Sequence, residues 1–225
     1  MKHPLVILAA LAGLAIGSPA PAADMPVKAP VVPMPAAYDW TGAYIGGQLG
    51  YLWGAARVED NGVVTDDHAL VNGAIGGVVA GFNWQSGRMV LGFDGDFGFS
   101  NARGSGQVAE EIPNLYRINN TYHVRGRIGA AMDSNLLIFF AGGLGAAAFR
   151  FPPGETVGYK GGYFDGPSIG GGFEYGITPQ LSGRVEVIYD DFGSKSYVTS
   201  YDLYRVHLTG RTVRGALTFK FWTGR

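Results

Sequence analysis

Between Met89 and Ser100 the chain reads MVLGFDGDFGFS. Side chains alternate across a strand with period two, so Leu91, Phe93, Phe97 and Phe99 share one face and Asp94 and Asp96 the other. The next apolar stretch, residues 121–132, repeats the pattern with the opposite charge. Tyr122, Val124, Ile128 and Met132 share a face, and Arg125 and Arg127 share the other. A water-soluble sheet turns its apolar face inward and its charges outward. Here apolar and aromatic residues hold one parity and charges the other in strand after strand. That pattern predicts an inside-out barrel, with the apolar residues toward lipid and the charges in the lumen.

The same alternation delimits eight strands. The first, at residues 39–54, turns Ala43, Ile45, Leu49, Tyr51 and Trp53 out and Gly46, Gln48 and Gly50 in. The second, at 73–85, places Val78, Ala80, Phe82 and Trp84 outside and Asn83 and Gln85 inside. The third and fourth are the two stretches above. The fifth, at 136–149, has Leu136, Ile138, Phe140 and Leu144 out. The sixth, at 166–177, puts Ile169, Phe173, Tyr175 and Ile177 out and Glu174 in. The seventh, at 181–191, has Leu181, Val185, Val187 and Tyr189 out, with Arg184, Glu186 and Asp190 in. The eighth, at 206–221, turns Val213, Leu217, Phe219 and Phe221 out and Arg214, Thr218 and Lys220 in.

Links between strands alternate in length. Short turns fall near Gly87, Ser134 and Pro179, and longer polar links at 55–72, 101–119, 150–163 and 192–205. Short periplasmic turns and long outer loops are the habit of outer-membrane barrels. The fold class expected is therefore all-β: an eight-stranded antiparallel up-and-down transmembrane β-barrel, with both ends on the periplasmic side.

Counted from the short turns, eight inward charges share a depth of roughly 10–20 Å, at about 3.3 Å per residue and a tilt of roughly 40°. Asp94, Asp96, Glu174 and Glu186 are the acids; Arg125, Arg127, Arg184 and Arg214 are the bases. Unpaired charges at that depth are costly, so the balance implies a paired network. Arginine suits it, because its planar fork engages carboxylates bidentately. Eight strands enclose only enough room for side chains to fill, which implies a plugged lumen.

Composition narrows the setting. A short basic start, an apolar run and small residues up to Ala23 are laid out as a secretory signal peptide, expected over residues 1–23. Residues 24–38 hold four prolines in DMPVKAPVVPMPAA and are expected to form an extended periplasmic spacer, a plain tether before a contact to peptidoglycan. The barrel is expected over 39–225. A formal net charge of −1 gives no electrostatic case for nucleic acid, and the absence of cysteine excludes disulfides as staples.

Chemistry-bearing residues are sparse. A Ser/His/acid set assembled from Ser100, His123 and Asp190 draws on distant positions with no local motif, and His123 is expected near the outer rim. Asp66-Asp67-His68 offers three adjacent metal ligands, more simply read as a solvated loop. Tyr197, Tyr201 and Tyr204, with Lys195, Arg205 and Arg211, mark an aromatic and basic outer edge suited to a girdle, to lipopolysaccharide phosphates or to an aromatic ligand. AGGLGAA at 141–147 lacks the lysine and helix of a phosphate-cradling loop. No catalytic, cofactor or metal residue is assigned.

The ordered series YDWTGAYIGGQLGYLWG, GFNWQSGRMVLGFDGDFGFS, HVRGRIGAAMD, AGGLGAAAFR, GGFEYGITPQLSGRVEVIYDDFG and TVRGALTFKF resembles the alphaproteobacterial outer-membrane barrels, often labelled porin-like, that include RopB and small surface antigens. The resemblance covers most of the chain after Tyr38. It implies an eight-stranded barrel in the outer membrane of a Gram-negative bacterium, in contact with lipid and lipopolysaccharide, with a structural or surface-antigen role; haemin binding is attributed to some relatives. It also implies a terminal aromatic signal for the barrel-assembly machinery. Phe219 and Phe221 fit that signal, although residues 222–225 extend past it and Ala216 stands where glycine is typical. The expected function is support of envelope integrity. A narrow pore or haemin-uptake protein, and a rim-active lipid-modifying enzyme, are the alternatives left open by the residues.

Overall fold

The computed structural model describes residues 37–60, 62–105, 116–132, 135–150, 162–198 and 203–222. The expected signal and nearly all of the spacer lie outside the described residues. All eight described elements are strands: β1 (Gly42–Asp60), β2 (Val63–Ser86), β3 (Met89–Ser105), β4 (Tyr116–Ala131), β5 (Leu136–Arg150), β6 (Gly162–Gly176), β7 (Leu181–Val198) and β8 (Leu203–Trp222). Each pairs antiparallel with the next, and β8 returns to β1, closing an eight-stranded up-and-down barrel. Closure satisfies every strand edge, the condition for crossing hydrocarbon with sheet.

Strand parity falls as the alternation predicts. Leu49, Val78, Phe93, Val124, Phe140, Ile169, Val187 and Leu217 are exposed on the outer wall, while Gln48, Asn83, Asp94, Arg125, Glu174, Glu186 and Arg214 are buried inside. Short turns sit where expected at Gly87, which has φ of 60° as a tight hairpin demands, and at 177–180, where the Thr178 side chain caps Leu181 N–H at 3.1 Å.

Two of the long links are mostly strand instead. The chain reaches Asp60 before turning at Gly62 (φ 83°), and β7 and β8 run to Val198 and from Leu203. Strands of 15 to 24 residues exceed the 9–11 needed to span a bilayer, so the barrel projects beyond it at the long-loop end. These segments escape a hydrophobic-outside template because the projecting wall meets water and inverts the pattern.

The interior is stacked in three zones. At the short-turn end Tyr38, Trp40, Val90, Ala131 and Leu137 form a small apolar cluster. The membrane-level zone holds the charges. Above it Leu52, Ala56, Val71, Ala102, Ile118, Ala147, Phe149, Phe164, Phe192, Val206 and Leu208 form an apolar core inside the barrel. At that height the outer wall carries polar residues such as Arg103, Arg117, Asp165 and Arg205. The chain is thus inside-out where lipid surrounds it and ordinary where water does.

Candidate functional site: the charged lumen

The lumen charges arise from adjacent strands in register. Asp94 lies opposite Arg125, Asp96 opposite His123, Glu174 opposite Arg184 and Glu186 opposite Arg214. Cross-strand neighbours of opposite charge are mutually stabilising. The contacts then leave the ladder and cross the barrel.

Nearest the short turns, Glu174 gathers Arg127 at 2.9 Å, Arg184 Nε at 3.2 Å and Ser182 Oγ at 2.6 Å. Arg127 also donates to Tyr44 Oη at 3.2 Å and lies 4.2 Å over the Phe139 ring. Arg184 reaches up to Asp94 through Nη1 at 3.1 Å, joining this level to the next. There Arg125 bonds Glu186 at 2.8 Å and Asp94 at 3.2 Å, and Arg214 bonds Glu186 at 3.0 Å and Asp96 at 2.9 Å. All eight candidate lumen charges therefore belong to one continuous set of ion pairs.

His123 caps the set. Its Nδ1 lies 2.9 Å from Asp96 and its Nε2 3.2 Å from Asp190. Hydrogen bonds at both ring nitrogens require two protons shared among the three groups. Gly145 makes the space: a Cβ there would stand 3.0 Å from Asp190 Oδ1 and 3.1 Å from His123 Cδ2. Tyr44 and Tyr38 are seated similarly, over Gly81 and Gly176, where a Cβ would meet their rings at 2.6 Å and 2.2 Å. Below, Lys220 donates to the Asp39 carbonyl and lies 4.5 Å over the Tyr38 ring.

The expected rim position of His123 is corrected. β4 continues to Tyr116, so His123 is mid-strand and 3 % exposed, below the apolar upper core. Ser100 Oγ accepts the Ala102 N–H at 3.0 Å, and among the described residues no hydrogen bond joins it to His123. His123 and Asp190 come together; the serine of the proposed set does not.

Asp66, Asp67 and His68 lie on β2, not in a loop, and their side chains are outside the described residues, as are those of Tyr197, Tyr201 and Tyr204. Lys195 pairs with Asp165 at 3.7 Å and donates to the Tyr163 carbonyl; Arg205 and Arg211 are exposed on β8. Phe219 and Phe221 are exposed on the outer wall of β8, and Trp222, the last described residue, lies 5.7 Å from the Phe82 ring. Sequence reasoning passed over Tyr44, Phe139 and Ser182 as partners of the network and missed the upper core. The inward parity of each was the available signal.

A closed antiparallel barrel with an apolar outer band and a charged interior defines a transmembrane β-barrel of the outer membrane. The profile of the outer membrane protein beta-barrel domain family matches residues 7–221, and the chain belongs to that family. Among its relatives, the 31 kDa outer-membrane immunogenic protein of Brucella melitensis biotype 1 is 31% identical, covering 96% of this chain and 99% of the relative. The 22 kDa outer membrane protein of Rhizobium leguminosarum bv. viciae is 32% identical over 76% of this chain and 71% of its own. The solved structure of outer membrane protein AlkL in lipid bilayers shares the fold, with a TM-score of 0.50 at 13% identity, covering 85% of this chain and 95% of that one. The protein therefore resides in the lipid bilayer of a Gram-negative outer membrane.

Proposed function

We propose that the protein is a structural, non-catalytic barrel that supports the envelope and presents its outer loops as a surface antigen. The observation that carries this reading is the stack of buried side chains inside the barrel. The arginine–carboxylate network lies between an apolar cluster at the short-turn end and the larger apolar core above. A diffusion pore needs a continuous wet path, and a buried apolar cluster above the charges favours a plugged reading over such a path. The names of the immunogenic relatives support the antigen reading. In this reading lipopolysaccharide surrounds the outer end, Phe219 and Phe221 are read by the barrel-assembly machinery, and residues 1–23 are removed on export. Residues 24–38 then serve as the spacer toward peptidoglycan.

Planar-bilayer recording of the purified protein tests the plugged lumen. Membranes containing it should carry no steady single-channel current. Regular open-channel steps in the wild-type protein would establish the narrow-pore alternative.

A further inference from the structure

Arg103, Arg117 and Arg150 form a row across β3, β4 and β5. The register places Arg103 directly opposite Arg117, and Arg117 directly opposite Arg150. All three are exposed. Their direction is fixed by their chain neighbours: Ala102, Ile118 and Phe149 all point into the upper core, so the arginines point away from the barrel. Like charges facing one another across strands repel. Among the described residues none of the three has an ion pair. Elsewhere on the outer wall, among the described residues, three cations have acids beside them: Arg57 with Glu59 at 3.6 Å, Lys195 with Asp165, and His207 with Asp191 at 3.5 Å. Arg205 is in register with Glu59.

The height of the row is informative. The arginines lie 14 or 15 residues beyond Met89, Met132 and Leu136, the lowest outward apolar residues of this part of the wall. At about 3.3 Å per residue and a tilt near 40°, that is about 35–38 Å, beyond an apolar band of about 25 Å. Beneath the row runs an aromatic girdle. Phe99 and Phe97 rings are 4.5 Å apart, Phe97 and Tyr122 5.1 Å, and Tyr122 and Tyr163 6.4 Å. An aromatic girdle marks the interface, so the three guanidinium groups stand at headgroup level.

We propose that this row is a binding site for the phosphates of the outer-leaflet glycolipid, the lipid A portion of lipopolysaccharide. Arginine forks engage phosphate oxygens bidentately, and the girdle below suits acyl chains. The ligand supplies negative charge that the described residues do not give the row, and it arrives at the height where the row sits. This places lipopolysaccharide, a partner in the reading above, on one face of the barrel. It does not depend on whether the lumen conducts.

The test is titration of the folded full-length protein in detergent with bisphosphorylated lipid A and with enzymatically dephosphorylated lipid A, counting bound lipid by native mass spectrometry. The wild-type protein should bind the phosphorylated form at least about tenfold more tightly. Arg103→Gln, Arg117→Gln and Arg150→Gln together should weaken it by on the order of 100-fold, with each basic group contributing about fivefold at a charged lipid surface. A control carrying Arg57→Gln, beside Glu59 on β1, and Arg88→Gln, at the short-turn end, should bind as wild type does. Heat-modifiable migration verifies that each variant is folded. Equal binding by the triple variant, equal binding of the two lipids, or the same loss in the control would overturn the proposal. So would the same loss on replacing Glu110 and Glu111, the acids of the intervening segment, by Gln.

Discussion

Arg125 on β4 bonds Glu186 on β7 at 2.8 Å, across two intervening strands and 61 residues of sequence. The pair spans the lumen, so it ties walls that the hydrogen-bonded ladder does not join directly. Both side chains are fully buried. Breaking such a pair from one side leaves a buried charge uncompensated and costs about 3–5 kcal/mol. Arg125→Ala or Glu186→Ala should each lower the heat-modification temperature clearly. The double variant should cost less than the sum of the two. Unchanged migration in both single variants would remove the network from the stability of the barrel.

The two aromatic environments should respond differently to truncation. Phe149 and Phe164 pack edge-on at 5.6 Å inside the upper core, whereas Phe140 is 70 % exposed on the outer wall. Phe149→Ala or Phe164→Ala should cost about 3–5 kcal/mol in urea unfolding from lipid vesicles. Phe140→Ala should cost markedly less, because lipid fills the space it leaves. Equal losses at the inner and outer sites would contradict the apolar upper core.

Gly145 offers a finer probe. A methyl group there crowds both His123 and Asp190 without removing a charge. Gly145→Ala should loosen the His123–Asp190 contact and lower stability by about 1–3 kcal/mol, the usual cost of overpacking. His123→Ala should abolish that sensitivity, so the loss caused by Gly145→Ala should shrink in its presence. Additive losses would show that the glycine serves the sheet and not this pair.

The end of β8 bears on assembly. Phe219 and Phe221 face outward, and Trp222 follows them still in strand. Phe221→Ala should reduce the heat-modifiable fraction recovered from outer membranes severalfold while leaving refolding into detergent intact. Removal of residues 223–225 should leave assembly unchanged. If Phe221→Ala assembles normally in cells, the terminal aromatic is not the signal.

Much of the barrel was legible because a strand exposes its environment with period two. Val124, Arg125, Gly126 and Arg127 announce lipid and lumen in turn, and the opposed parities of Asp94 and Phe93 give the same answer. The projecting wall was not legible by that rule. Ala102, Arg103 and Gly104 alternate as a soluble sheet does, and beside polar links they resemble loop. His123 was placed too high for the same reason, since the height of a residue depends on where its strand ends.

By itself the sequence determined the class of fold, the number of strands and which side chains enter the lumen, because alternation and turn residues are local properties of the chain. Only the tertiary structure decided which arginine meets which carboxylate, since Arg125 with Glu186 and Arg184 with both Asp94 and Glu174 depend on the stagger and closure of all eight strands. Closure also gathered apolar side chains above the charges and brought Arg103, Arg117 and Arg150 into one outward row. Those outcomes rest on register between strands distant in sequence, and no local pattern encodes it.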